Sequence, residues 1–451
     1  QGEGVSGVSG ADAPGGGSHL ESNEGTSMSV KIYGEAEKRA VDQIERCQSV
    51  EEGALAVLCA DNHVGYSQPI GGAVAYRDHI SPSGVGYDIG CGNKAVKTNL
   101  LAADLDAANV MDEIVRRVSF GVGRVNNEPA DHPVLDQIKD APFAPQRQLY
   151  DLAAKQLGTV GAGNHYVDLF EDEDGWLWIG VHFGSRGFGH KTASGFLALA
   201  EGKGFEEHAV EGEMDSPPIV FGIDTDLGQS YIEAMTLAGA YAYAGRDVVV
   251  DTVLDILGAE VGYGVHNHHN FAWRETHGGE DFWVVRKGCT PAWPGQAGFV
   301  GSTMGENSVI LEGTDTGAEA LFSTVHGAGR VMSRTQAAGK RKKRWTCGKC
   351  DWTQGVGVPA PQQFCPECGN DHLTKKWVQV KPGEIDFDAV LADQSRKGIE
   401  LRGGAADEAP GAYKRLPDVL AAQGDTIRVL HTLRPIGVAM AGADTFDPFK
   451  D

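Results

Sequence analysis

Four histidine-bearing segments share one local character, short, polar and glycine-rich. They are Gly163-Asn164-His165, Val181-His182-Phe-Gly-Ser-Arg186-Gly, His268-His269-Asn270 and Val325-His326-Gly-Ala-Gly-Arg330. Beside them stands Gly86-Tyr-Asp88-Ile-Gly-Cys91-Gly. One such histidine is more often an ordinary hydrogen-bonded residue than a ligand. Four in near-identical contexts, with an Asp and a Cys three apart, change that weighing. Neutral imidazole, carboxylate and thiolate together suit a divalent transition metal. A thiolate has lone pairs to spare, so Cys91 could bridge two ions. Arg186 and Arg330 each follow a glycine-rich turn and suit bidentate hydrogen bonding to phosphate. A tight His-Gly-Ala-Gly-Arg turn also offers backbone N–H groups to an anion.

A second cysteine constellation lies late in the chain. Cys347 and Cys350 form one CxxC pair, and Cys365 and Cys368 form another after fourteen residues. Each CxxC turn supplies two thiolates from one knuckle, and two knuckles complete a tetrahedral zinc site. Two unrelated surface pairs are a weaker reading, and a redox CxxC would not come doubled. Residues 336–378 are therefore expected to form an inserted zinc ribbon. It opens with the basic run Lys340-Arg-Lys-Lys-Arg344, expected to hold RNA near its broken ends. The competing expectation for such a run is a solvated face.

These groups need elements to hold them. The chain has 451 residues, enough for one large domain or two to three ordinary ones. Its hydrophobic share of 41% and charged share of 22% exclude a disordered or collagen-like chain. No apolar run is long enough for a membrane span. With 39 basic and 62 acidic residues the net charge is -23, so general nucleic-acid binding is excluded and any phosphate contact must be local. Eight cysteines in so long a chain do not make a secreted disulfide framework, and a reducing cytoplasm is expected. Residues 1–27 have linker-like composition, lack a signal-peptide pattern and are expected to be disordered.

Helices are expected over 34–48, 104–118 and 146–157. A longer helical pattern runs over 229–257, as two helices or one broken near Gly245. Residues 176–182 read as a buried strand ending in His182. Glycine-rich stretches over 59–100 and 295–313 suit strands and tight turns. Without regular βαβ alternation, the expected class is α+β. Residues 28–335 and 379–451 would form one large mixed domain around the ribbon insertion.

Taken together, the motifs resemble the RtcB family of RNA ligases. The resemblance rests on Pro69-Ile-Gly-Gly-Ala-Val, Ser83-Gly-Val-Gly-Tyr-Asp88-Ile-Gly-Cys91-Gly, Gly158-Thr-Val-Gly-Ala-Gly-Asn164-His165 and His182-Phe-Gly-Ser-Arg186-Gly. It continues through Arg286-Lys-Gly-Cys-Thr, Met304-Gly-Glu-Asn-Ser308, Ser323-Thr-Val-His326-Gly-Ala-Gly-Arg330-Val-Met-Ser-Arg334, Glu408-Ala-Pro-Gly-Ala-Tyr413-Lys and Leu433-Arg-Pro-Ile-Gly-Val. The resemblance implies joining of an RNA 3′-phosphate or 2′,3′-cyclic phosphate to a 5′-hydroxyl end, with GTP and two manganese ions, in RNA repair or tRNA splicing. It implies His326 as the nucleophile that becomes guanylated. Asp88, Cys91, His165, His182 and His269 match the manganese ligands, with Cys91 bridging. Asn164, Asp168, Asn270, Thr303, Met304, Ser308, Gly327, Ala328, Gly329, Tyr413 and Met440 match guanylate positions. Arg186, Arg330 and Arg334 would meet RNA phosphate. An activating protein is a further candidate partner, and no membrane partner is expected.

Two positions depart from the family pattern. Met440 stands where the family usually places a lysine, and methionine neither donates a hydrogen bond nor carries charge. Asp168 stands where a longer glutamate is usual. A dinuclear phosphohydrolase acting on RNA without guanylation would explain Met440 but not the retained His326 turn. A non-catalytic RNA-binding protein would leave the ligand set unexplained.

Overall fold

The computed structural model describes residues 29–126, 128–209, 213–355, 357–361, 363–443 and 445. The linker-like stretch 1–27 lies outside them. Two sheets form the frame of an α+β fold. The first has five strands in the order Lys31–Ile32, Leu55–His63, Ile70–Tyr76, Glu280–Lys287, Asn270–His277. The second runs Ala297–Val300, Ser308–Gly313, Ile427–Gly442, Tyr166–Glu171, Trp176–Phe183, Gly92–Leu101, Val261–His268, with Glu400–Gly404 parallel beside Ile427–Gly442.

Alternation along the strands makes two cores on the first sheet. Leu58, Val74, Tyr76 and Val285 pack into one cluster with the helical layer, and their neighbours Val57, Ala73, Ala75 and Val284 pack into another. A period of two places successive side chains on opposite faces, so both faces are buried. The second sheet divides likewise. Leu169, Ile179, Val181 and Phe183 meet Val249, Val250 and Val253 of the long helix, whereas Phe170, Trp178 and Val438 pack on Phe299 and Ile310.

The sheets meet at one peptide-length hinge. Val261–His268 belongs to the second sheet and Asn270–His277 to the first, so the chain changes sheet at His269. The backbone N–H of His269 donates to the carbonyl of Cys91 at 2.8 Å, and that of Asn270 to the same carbonyl at 3.3 Å. The junction thus brings the Asp88–Cys91 turn against the histidine pair.

The helices differ in detail from the sequence expectation. The first spans Lys38–Gln48, since Glu37 is extended and serves as its N-cap. The second spans Ala107–Arg117, capped by the Asp106 side chain at Asn109 N–H. The stretch 146–157 is divided into Ala144–Arg147 and Tyr150–Gln156. The long helix is one unbroken element, Asp226–Leu257, capped by Thr225 and ended by left-handed Gly258. Gly245 does not break it. A β-carbon there would stand 3.3 Å from the Phe183 ring, so this glycine serves close helix–sheet packing.

The cysteine-rich segment projects on an antiparallel pair, Lys340–Cys347 with Leu373–Lys381. The pairing extends past residue 378, the boundary read from the sequence. At its base Gly339 and Gly383 cross. A β-carbon on Gly339 would lie 2.3 Å from the carbonyl oxygen of Lys381 and 2.5 Å from the nitrogen of Gly383. Below the crossing, Glu384 N–H donates to the Gln336 carbonyl at 3.0 Å and Ile385 N–H to that of Ala337 at 3.2 Å.

Candidate metal centre and nucleophile pocket

Five residues from four separate segments converge at the sheet junction. Asp88, Cys91 and His165 form one triad and Cys91, His182 and His269 another, each with its ligand atoms within 4.8 Å of one another. Cys91 belongs to both. Its Sγ lies 3.7 Å from His165 Nε2 and 3.6 Å from His182 Nε2, and Asp88 Oδ2 lies 3.2 Å from His165 Nε2. This is the geometry expected of a thiolate shared between two cations.

The surrounding hydrogen bonds fix which imidazole nitrogen is available. Asn93 donates its amide N–H to the Phe299 carbonyl at 2.8 Å, so its Oδ1 must be the acceptor facing His182 Nδ1 at 2.5 Å. His182 therefore carries its proton on Nδ1 and presents the Nε2 lone pair to the triad. His165 Nδ1 donates to the Val160 carbonyl at 3.0 Å, with the same result. His269 Nδ1 is buried without any hydrogen-bond partner. A buried, unpaired imidazole nitrogen is costly unless it has a ligand. Burial also holds His182 and His269 well below the ordinary imidazole pKa, so both are neutral. Burial acts to raise the Asp88 carboxyl, but the His165 ring beside it, aided by Arg186, outweighs that and holds the carboxyl below its usual range. Burial, reinforced by Asp88, pushes the Cys91 thiol well up, a cost that a bound cation would reverse. The donor set thus fits two divalent transition-metal ions.

His326 stands beside this centre, its ring 4.8 Å from that of His269. It follows the Ser323–Val325 strand, which pairs with Cys289–Pro291. One oxygen of Asp61 accepts three bonds there: from His326 Nδ1 at 2.6 Å, His326 N–H at 2.9 Å and Gly327 N–H at 3.3 Å. The proton is thereby held on Nδ1, leaving Nε2 as the lone-pair nitrogen. Behind it Arg286, fully buried, binds both oxygens of Glu275 at 2.7 and 2.9 Å, Ser323 Oγ at 2.8 Å and the Leu321 carbonyl at 2.9 Å. That clamp anchors the strand carrying His326. Burial would raise the Glu275 carboxyl, but Arg286 and His277 bring it down to about 2.

A pocket opens in front of His326. Asn164, Asp168, His182, Thr303, Met304, Gly327, Ala328, Gly329, Arg330, Arg334, Tyr413 and Met440 line it, as do His63 and Glu408. Asp168 and Met440 lie on the neighbouring strands Tyr166–Glu171 and Ile427–Gly442. Their strand partners are Val438 and Tyr166 respectively, so the two side chains are diagonal neighbours on one face. Burial pushes the Asp168 carboxyl well up, and its Oδ1 is unpaired. Burial lowers His63 to about 4, which keeps it neutral.

Several other sequence-derived positions stand back from the pocket. Ser308 Oγ accepts from Ser302 N–H at 3.0 Å, which shapes the 301–308 turn. Asn270 Oδ1 accepts from Gly288 N–H at 2.7 Å. Arg186 packs beside the metal centre, with Nη1 3.2 Å from His165 Nδ1, and its charge helps hold the Asp88 carboxyl down. Of the three arginines, only Arg330 and Arg334 line the pocket. Glu408 pairs with both, at 3.3 and 3.2 Å, and accepts from Tyr413 OH.

Asp61, Asn93 and Glu275 were not singled out from the sequence, and Glu408 entered only at the head of a family-like motif, with no role assigned. Asp61 and Asn93 act on partners far away in the chain, His326 and His182. The four late cysteines also come together, with Cys347 and Cys368 Sγ atoms 3.6 Å apart and those of Cys350 and Cys365 3.6 Å apart. They form a four-thiol group that fits a tetrahedral ion.

Comparison with known proteins agrees with this geometry. The family described as tRNA-splicing ligase RtcB matches residues 43–360. The RNA-splicing ligase RtcB of Escherichia coli K12 is 30% identical over 411 residues, covering 85% of this chain and 88% of the relative. The tRNA-splicing ligase RtcB of Pyrobaculum aerophilum is 30% identical over 501 residues, covering 91% and 94%. That of Archaeoglobus fulgidus is 28% identical over 499 residues, covering 91% and 93%. A match across most of the chain, joined to a converged ligand set beside His326, means that the chain belongs to the RtcB family.

Proposed function

We propose that the protein is a GTP- and manganese-dependent RNA ligase that joins a 3′-phosphate end to a 5′-hydroxyl end through a guanylated His326. The observation that carries this reading is the Asp61–His326 pair facing a pocket beside two ligand triads. Asp61 keeps the Nδ1 proton in place, so Nε2 is the attacking atom. Nε2 bonds to the α-phosphorus of GTP as the bond to pyrophosphate breaks. The positive charge that develops on the ring is stabilised by the Asp61 carboxylate, as a buried carboxylate stabilises an imidazolium elsewhere. An RNA 3′-phosphate oxygen then attacks the same phosphorus, the P–N bond breaks, and His326 regains its lone pair. Attack of the 5′-hydroxyl on the RNA phosphate forms the new linkage, releasing GMP and the hydroxyl proton. A 2′,3′-cyclic end must first be opened by water.

Asp88, Cys91, His165, His182 and His269 would hold the manganese ions, which orient phosphate oxygens and neutralise their charge. Arg330 and Arg334 are pre-set by Glu408 for the RNA phosphate. Asn164, Asp168, Thr303, Met304, Tyr413 and Met440 would surround the guanylate, with Asn270 and Ser308 shaping that wall and Arg186 beside His165. The four late cysteines would hold zinc in a separately inserted module. RNA repair or tRNA splicing in the cytoplasm would supply such ends.

Incubation with α-labelled GTP and manganese, followed by denaturing electrophoresis, tests the proposal. The wild type should retain label and His326→Ala should retain none, with its metal content unchanged. A labelled His326→Ala protein would refute the nucleophile assignment. An unlabelled wild type that hydrolyses RNA phosphates would point instead to a phosphohydrolase.

A further inference from the structure

A second depression adjoins the nucleophile pocket at Arg334, which lines both. The far wall is the cysteine module's strand pair, through Arg341, Trp377 and Gln379, with Phe387 and Asp407 on the body side. The chain as a whole is strongly acidic, yet Lys340–Cys347 and Leu373–Lys381 together carry eight Lys or Arg and no Asp or Glu. Their register adds order to this charge. Arg341 is opposite Gln379, Lys343 opposite Trp377 and Trp345 opposite Lys375. Directly opposed residues share a face, and so do positions two apart. These six side chains therefore form one face, of which Arg341, Trp377 and Gln379 border the depression.

Cations and indoles interleave on that face. Lys343 Nζ sits 5.5 Å from the Trp377 ring centroid and Lys375 Nζ 5.1 Å from that of Trp345. Trp377 is 38% exposed although it is large and apolar. The two indoles are diagonal cross-strand neighbours, roughly 7–8 Å apart at the backbone. An exposed indole at Trp377 and a half-buried one at Trp345, at that interval and each flanked by a cation, suit successive unpaired bases and their phosphates. An acidic peptide would use the cations but has no need of the indoles. A duplex would keep its bases stacked on one another and could not use them either.

We propose that this face is a binding site for single-stranded RNA, on which two bases stack against Trp377 and Trp345. The strand then crosses the depression past Arg341 and Arg334, so that its 3′ end enters the His326 pocket. The strand's direction rests on the ligase reading above, whereas the stacking itself does not.

The test uses the full-length protein and two fluorescent oligoribonucleotides ending in 3′-phosphate, one of ten nucleotides and one of two. The double variant Trp345→Ala, Trp377→Ala should bind the longer strand about 100-fold more weakly, from roughly ten-fold per lost stack. Binding of the dinucleotide should not change, because it reaches only the pocket. Trp345→Phe with Trp377→Phe should restore most of the affinity, which separates stacking from folding. A duplex of equal length should bind the wild type more weakly than the single strand. Unchanged affinity of the alanine variant for the longer strand would overturn the proposal, as would equal loss for the dinucleotide. Polyglutamate competing as well as RNA would also overturn it and mark an acidic-protein dock. If the longer strand binds as expected but neither GMP adduct nor joined RNA ever forms, the stacking face stands and the ligase reading falls.

Discussion

Two regions of this molecule gather cation-binding side chains, and they do so in opposite ways. The central site draws its ligands from residues 88 to 269 and depends on the junction of two sheets to bring them together. The projecting module draws four thiols from 347 to 368 on two turns at the end of one strand pair. In the centre, hydrogen bonds behind the ligands fix His165 and His182 before any ion arrives. In the module, backbone N–H groups of Lys349 and Cys350 approach Cys347 and bring its thiol down to about 6. The centre is preorganised by the fold, so ions bound there would add chemistry to a structure that already exists. The module has little apolar interior, so an ion held by its four thiols would supply much of its folding.

The largest effects should come from breaking the shared ligand. Cys91→Ala should lower occupancy at both central positions and abolish the GMP adduct, whereas His182→Ala should mainly deplete one position. Metal analysis by mass spectrometry after manganese loading reads this directly. Undiminished manganese in the Cys91 variant would end the idea of a bridging thiolate.

An intermediate effect is expected in the module. Cys365→Ser should release zinc and open the strand pair to proteolysis, while central metal content and guanylation persist. Limited proteolysis with metal analysis checks this, and loss of guanylation would show that the two regions are not independent.

The smallest effect concerns stability behind the nucleophile. Glu275→Gln leaves the buried Arg286 charge without its counter-ion and should cost about 3 kcal/mol at neutral pH. Because the Glu275 carboxyl is held down near 2, its contribution is fully present above the ordinary carboxylate value of 4.5. It fades as pH falls from there towards 2. The gap between wild-type and variant melting temperatures should therefore narrow on acidification. A gap that widens in acid would contradict the assigned role.

The contrast also explains what could be read from the chain. The module was legible by spacing alone, because both knuckles are local. The central Asp, Cys and His residues were legible as residue types, and the family resemblance implied that they gather around Cys91, but their division into two triads is seen only in the structure, since nothing in the spacing of Cys91 and His269 says that they touch. Asp61 was missed because a lone aspartate in an apolar strand carries no signal until His326 is placed against it. The long helix was found, but its expected weak point was not one. Gly245 had the composition of a break, and only the nearness of Phe183 shows it to be a packing position. Arg186 had the setting of a phosphate ligand, yet the positive φ at its own residue and the start of a helix there turn it beside His165.

The crossing of Gly339 and Gly383 bears on how such a chain changes over generations. The departing and returning segments touch, and the stretches beneath them are already stitched together at Gln336–Glu384 and Ala337–Ile385. Recombination at that point can therefore add, remove or exchange everything beyond the glycines in a single event, with no strand of either sheet changing register. A lineage could refit its outer module for a new population of broken strands while inheriting the catalytic interior unaltered.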